Sequence, residues 1–150
     1  MKLFVLDTDT LTLFLQGHEN VCRRAVQLKS DQLAVTIINV EESLTGWYTQ
    51  IRHARRDDQL LRAYEWMSQS LEVLRDVQIL GFDANAIATY HQLHKKYRRI
   101  GTNDLRIAAI VLSGAATLVT RNLKDFGQIA GLAIEDWSQP MQPNPSSSQE

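Results

Sequence analysis

The sequence predicts an α/β domain built on a mostly parallel sheet, on three observations. Short apolar runs recur along the chain, too short to be helices. Segments with apolar residues at helical spacing separate them. Strand and helix in alternation is the pattern of parallel sheets, whose crossovers are helical.

The elements follow in order. Leu3–Leu6 reads as the first strand and stops abruptly at Asp7. Asp7 and Asp9 are suited to start a helix over Leu11–Leu15, because Asp accepts hydrogen bonds from the free amides of a first turn. Leu33–Ile38 is the second strand, and "TIINVEESLTG" carries it into a helix with Glu41 and Glu42 at its start. Glu42 also follows Asn39 at capping-box spacing. Asp57 is a plausible cap for a helix bearing Leu60, Tyr64, Met67, Leu71 and Leu74 at helical spacing.

Val77–Leu80 is the third strand, and Asp83 caps a helix with Ile87, Tyr90, Leu93 and Tyr97 along one side. Leu105 to Leu112 is apolar almost all round, which predicts a buried helix that Gly114 ends. Thr117–Thr120 is the fourth strand, and Ala133–Ile134 a weaker fifth. From Ser138 the text becomes "SQPMQPNPSSSQE", with almost nothing to bury, so a disordered tail is expected over 138–150. The domain proper then spans residues 1–137.

A chain of 150 residues is one domain of common size. Its 44% hydrophobic and 22% charged content is that of an ordinary globular protein. A net charge of -1 offers no global attraction to nucleic acid, so a polyanion must be met by a local basic patch. Cys22 is the only cysteine, which excludes an intrachain disulfide and suits a reducing compartment. The first apolar run is too short for a secretion signal, and no stretch approaches the 18 or so apolar residues of a membrane span. The expectation is a cytoplasmic protein without membrane contact.

Ligand sites in open parallel sheets form beyond the carboxyl ends of the strands. Asp7 stands at such an end. Glu41 and Glu42 follow the second strand, and Asn122 and Asp125 follow the fourth in "LVTRNLKDF". Asp104 opens the apolar helix in "IGTNDLRIAAI". Each has a structural role open to it, as a cap, a first-turn acid or a solvated loop residue. Together, carboxylates so placed repel one another unless a cation neutralises them. A hard divalent ion, Mg²⁺ or Mn²⁺, suits an all-oxygen site, and phosphodiester cleavage is the chemistry such a site supports.

Other features are weaker. His91 and His94 can share a helix face but have no evident third ligand. "KKYRR", with Lys95, Lys96, Arg98 and Arg99, suits a helix C-terminus and could equally meet RNA phosphates. Arg52, Arg55 and Arg56 could add to that patch.

The stretches "FVLDTDTL", "INVEESLTG", "IGTNDLRIAA", "LVTRNLKDF" and "GLAIEDW" resemble, in order, the motifs of PIN-domain ribonucleases of the VapC-like toxin group. The resemblance runs from Leu3 to about Trp137. It implies a three-layer PIN-like domain with a central sheet of about five strands flanked by helices. It places catalytic, metal-binding acids at Asp7, Glu42, Asp104 and Asp125. Glu42 is preferred to Glu41 because the family acid lies four residues before a glycine, here Gly46. Asn122 stands where many relatives carry the fourth acid. Asp9, which replaces a common asparagine, Thr120 and Asn122 are the expected supporting residues. The resemblance further implies Mg²⁺- or Mn²⁺-dependent RNA cleavage, a homodimer and a small antitoxin partner. Tyr48, Tyr64 and Trp66 are candidates to line the groove for it.

Two alternatives remain from sequence. "LDTDTL" also resembles the first motif of haloacid-dehalogenase-like phosphatases, with Asp7 as nucleophile. That family's last acidic motif should follow a buried strand, whereas "HKKYRRI" reads as a helix end. The second alternative is a PIN-like domain that binds RNA or protein without cutting, the loss of an acid at Asn122 being its mark.

Overall fold

The structure, a computed structural model, describes residues 1–141. Its elements are β1 (Phe4–Leu6), α1 (Thr8–Leu15), α2 (Glu19–Ala25), β2 (Leu33–Thr36), α3 (Ile37–His53), α4 (Asp57–Arg75), β3 (Gln78–Leu80), α5 (Ala84–Lys96), α6 (Thr102–Ser113), β4 (Thr117–Val119), α7 (Leu123–Phe126) and β5 (Ala133–Glu135). The five strands form one sheet in the order β3-β2-β1-β4-β5, and every pairing is parallel.

Alternation along the strands builds the layers. Successive side chains of a strand point to opposite faces. Val5, Ala34 and Leu118 accordingly join Ile107, Ala108, Ile110 and Val111 of α6 and Leu93 of α5 in one core. Phe4, Leu6, Val35 and Val119 join Leu11, Trp47 and Leu74 from α1, α3 and α4 in the other. The result is helix, sheet, helix: three layers. Because both faces of β1 are covered, all three of its residues are buried.

Element ends differ from the sequence reading where local hydrogen bonding overrides apolar content. The second strand stops at Thr36, not Ile38, because Thr36 and Asn39 form a reciprocal capping box that turns the chain helical at once. Glu41 and Glu42 therefore lie one turn inside α3, and Glu42 is no partner in that box. Helix α4 begins at Asp57 with Arg56 as its cap residue. Asp83 caps α5 as expected, accepting from the Ala86 amide. Gly114 ends α6, but the left-handed turn falls on Ala115, at φ 49°. Helices α2 and α7 carry too few apolar residues to show a period; Val21 and Ala25 are the buried pair of α2, and Phe126 is the buried residue of α7.

Trp137 is 2% exposed and packs on Phe4 with ring centroids 5.4 Å apart. The Asn20 amide donates to the Ser138 carbonyl. Beyond Met141 the expected tail lies outside the described residues. No helix among them is long and apolar enough to cross a membrane.

Candidate active site

The parallel register brings the ends of β1 and β4 side by side, Leu6 opposite Val119, and the Asp7 amide donates to the Val119 carbonyl at 3.0 Å. Asp7 is thus the first residue past the sheet, and it caps α1. Its Oδ1 accepts from the Thr10 amide at 2.8 Å, and its Oδ2 accepts from the Thr120 hydroxyl. The cap expected of Asp7 is thus formed, and the same residue lines a pocket at the sheet edge. Burial raises its pKa above the ordinary carboxylate value; the bonds from Thr120 and Thr10 oppose this, and the charge of Asp9 adds to it.

Glu42 is held from α1. The Thr8 hydroxyl donates to Glu42 Oε1 at 2.7 Å, and the Asn39 amide nitrogen donates to Thr8 Oγ1 at 3.1 Å. Glu41 points elsewhere: it is exposed and meets Asn103 at 3.4 Å. Thr8 lines the same pocket, and Asn39 stands behind it; neither is marked in the sequence as a candidate site residue. In the sequence, Asn39 is visible only as half of a cap.

Asp104 sits in the first turn of α6, half-buried. Its pKa is raised, first by desolvation and then by the charges of Glu42, Asp125 and Asp7. Acids from three distant segments therefore act on one carboxyl. Asp125 lies in the short helix α7 rather than in a loop. Asn122 caps that helix: its Oδ1 accepts from the Asp125 amide, while its Nδ2 donates to Asp125 Oδ2 at 3.2 Å. Asn122 and Asp125 thus form one unit. Thr120 joins it to Asp7, since Thr120 Oγ1 also accepts from the Asn122 amide at 3.0 Å.

Asp7, Glu42, Asp104 and Asn122 line a pocket of about 190 Å³ with Ile107 and Phe126 at its apolar side. The donors are carboxylate and amide oxygens, the set a hard divalent cation prefers. Among the described residues, no three acidic, His or Cys side chains already stand at metal-holding spacing. The electrostatics nevertheless fit a cation, because the three carboxylates that push Asp104 toward protonation are those a positive ion would relieve.

Asp9 also borders the pocket but is paired. Arg121 grips both its oxygens, Nε to Oδ2 at 2.6 Å and Nη2 to Oδ1 at 2.8 Å. Lys95 and Lys96 close α5, and with Arg98 and Arg99 they line a separate cleft of about 380 Å³. His91 and His94 are exposed, and His94 stacks on Tyr90. Tyr48 lines an apolar groove between α3 and α4 with Leu44, Ile51 and Met67. Tyr64 is exposed outside it, and Trp66 packs against the core. Asp104 follows a helix and a turn, not a strand, so the phosphatase motif lacks its structural setting.

Comparison with known proteins places the chain in a family. The family model "PIN domain" matches residues 4–132. Ribonuclease VapC1 of Haemophilus influenzae (strain R2866) is 28% identical over 138 residues, covering 91% of this chain and 98% of that protein. The tRNA(fMet)-specific endonuclease VapC of Salmonella typhimurium is 28% identical over 141 residues, covering 91% and 99%. Among solved structures, DNA-bound VapBC from Salmonella typhimurium superposes with a TM-score of 0.72 at 25% identity, over 91% of this chain and 99% of that one.

Proposed function

The chain belongs to the PIN-domain family, and from that premise we propose that it is a divalent-metal-dependent endoribonuclease, the toxin of a toxin–antitoxin pair. The observation that carries this reading is the convergence of Asp7, Glu42 and Asp125 on Asp104 at the carboxyl edge of a parallel sheet. The relatives named ribonuclease and endonuclease, at nearly full length on both sides, support the same reading.

Asp7, Glu42, Asp104 and Asp125 would hold Mg²⁺ or Mn²⁺, with Asn122 and Thr120 as supporting groups. When bound, such an ion polarises a phosphoryl oxygen and lowers the pKa of a nearby water. Thr120 and the Thr10 amide fix both oxygens of Asp7 and oppose the effect of its burial. Thr8 fixes one oxygen of Glu42, which lines the pocket. Asp104, whose pKa is raised by desolvation and by the charges of Glu42, Asp125 and Asp7, carries a charge that a cation would compensate, and Asp125 is held against Asn122.

RNA phosphates would be met outside the acids, on the cleft of Lys95, Lys96, Arg98 and Arg99, because the chain has no net positive charge to spare. A homodimer and a small antitoxin are the expected partners, the apolar groove at Tyr48 being the antitoxin's seat. The VapBC assembly among the solved structures supports that partner class. The nuclease domain spans 1–137, and its site of action is the cytoplasm.

Sequencing RNA ends after induction of the wild type and of Asp7→Asn tests this. Discrete new ends with the wild type alone are expected. Identical end profiles in both strains would refute the reading.

A further inference from the structure

We infer that Thr8 and Asn39 are positioning residues that aim Glu42 at the cation, an inference that rests on the metal-site reading above. The direction of every hydrogen bond in this chain of groups is set by one backbone amide. The Thr36 N–H can only donate, and it donates to Asn39 Oδ1 at 2.7 Å. This orients the Asn39 amide, which is fully buried, and turns its Nδ2 toward Thr8. Thr8 Oγ1 then accepts from Nδ2, so its single proton is left for Glu42 Oε1, at 2.7 Å.

The relay makes Glu42 an acceptor at Oε1 and holds the side chain in one rotamer. A glutamate free in solvent loses its rotamer freedom on gripping an ion. Here the loss is taken in folding. The three groups come from the end of β2, the first turn of α3 and the first residue of α1. The strand pairing of β1 with β2 thus sets where Glu42 points. Asn39 also bonds the Thr36 hydroxyl at 2.7 Å, so the same amide serves the capping box and the site.

Groups that orient a metal ligand without touching the metal typically govern affinity by about 10–100-fold. Thr8→Val removes the hydroxyl while keeping the shape, and Thr8→Ser restores it. Calorimetric titration of the purified full chain with Mn²⁺ alone is the test. Thr8→Val should weaken Mn²⁺ binding by about tenfold or more, and Thr8→Ser should return it to within about threefold of wild type. Melting in chelator, which reads the fold without the ion, should fall for Thr8→Val, because the buried Asn39 Nδ2 loses its acceptor, and should recover in Thr8→Ser, with each protein still folded at the titration temperature. If Thr8→Val fails to fold, Thr8→Ala carries the same expectation. Mn²⁺ affinity unchanged in the variant lacking the hydroxyl, with the wild type binding, would overturn the relay and leave the metal site standing. A wild type that takes up no Mn²⁺ would overturn both.

Discussion

Thr120 donates its hydroxyl to Asp7 Oδ2 across 113 residues of sequence, joining the ends of β4 and β1 at the edge of the sheet. The hydroxyl also accepts from the Asn122 amide, so its one proton is committed to Asp7. The first acid and the fourth-acid segment are therefore coupled through a single side chain.

Thr120→Val should expose that coupling. The substitution leaves a buried carboxylate oxygen without its donor, a loss of about 1–3 kcal/mol. Urea denaturation at neutral pH should read it. Because the Thr120 bond lowers the pKa of Asp7, its removal should push that pKa higher still, and the stability difference should shrink in acid, where Asp7 is neutral. An equal difference at all pH values would show that Thr120 acts on packing alone.

Asp104 tests the site through stability. Its folded pKa is raised above the ordinary 3.8, so the native state holds the proton more tightly than the unfolded chain. That contribution is fully present below about 3.8 and is lost as pH rises through the folded value. In chelator at neutral pH, Asp104→Asn should therefore melt higher than wild type, and its stability should fall less as pH rises from about 4. Mg²⁺ at about ten times its dissociation constant should stabilise the wild type by about 1.4 kcal/mol. For this size that is about 3–6 °C, and the variant should lose most of it. A lower melting temperature with a full Mg²⁺ response would make Asp104 a first-turn acid and nothing more.

The basic cleft makes a separate prediction. Replacing Lys95, Lys96, Arg98 and Arg99 with Ala should weaken RNA binding and flatten its salt dependence. The slope should fall by about 0.7 for each single-strand phosphate that is no longer neutralised. Filter binding across a salt series measures both. Unchanged affinity and slope would return these residues to a solvated helix end.

Much of this arrangement was legible in the sequence, for a physical reason. The strands are apolar on both faces, so β1 and β4 stood out as runs, and a parallel sheet sends the residues after them to one edge. That logic reached Asp7, and Asn122 together with Asp125, by position; Asp104 follows a helix and stood out only as the acid opening an apolar helix, and choosing Glu42 over Glu41 needed the family spacing. In the structure a hydroxyl from α1 holds Glu42, whereas Glu41 is exposed and meets Asn103. Thr8 and Asn39 were not legible as site residues because their roles arise from strand pairing between distant segments. The overrun at Ile37 and Ile38 has the converse origin: a side-chain cap turned an apolar run into a helix start. Helix α7 was missed because four residues cannot display a period.

The most direct measurement is cleavage of a labelled single-stranded RNA by purified protein in Mn²⁺, with and without excess chelator, for wild type, Asp7→Asn, Glu42→Gln and Asp104→Asn. Internal cuts are expected from the wild type in Mn²⁺, none in chelator, and none from the three folded variants; Asp125→Asn, assayed beside them, should lose less because Asn122 is bonded to it and can share its role. Wild-type cleavage that persists in chelator, or cleavage that survives Asp104→Asn, would contradict the metal-site reading.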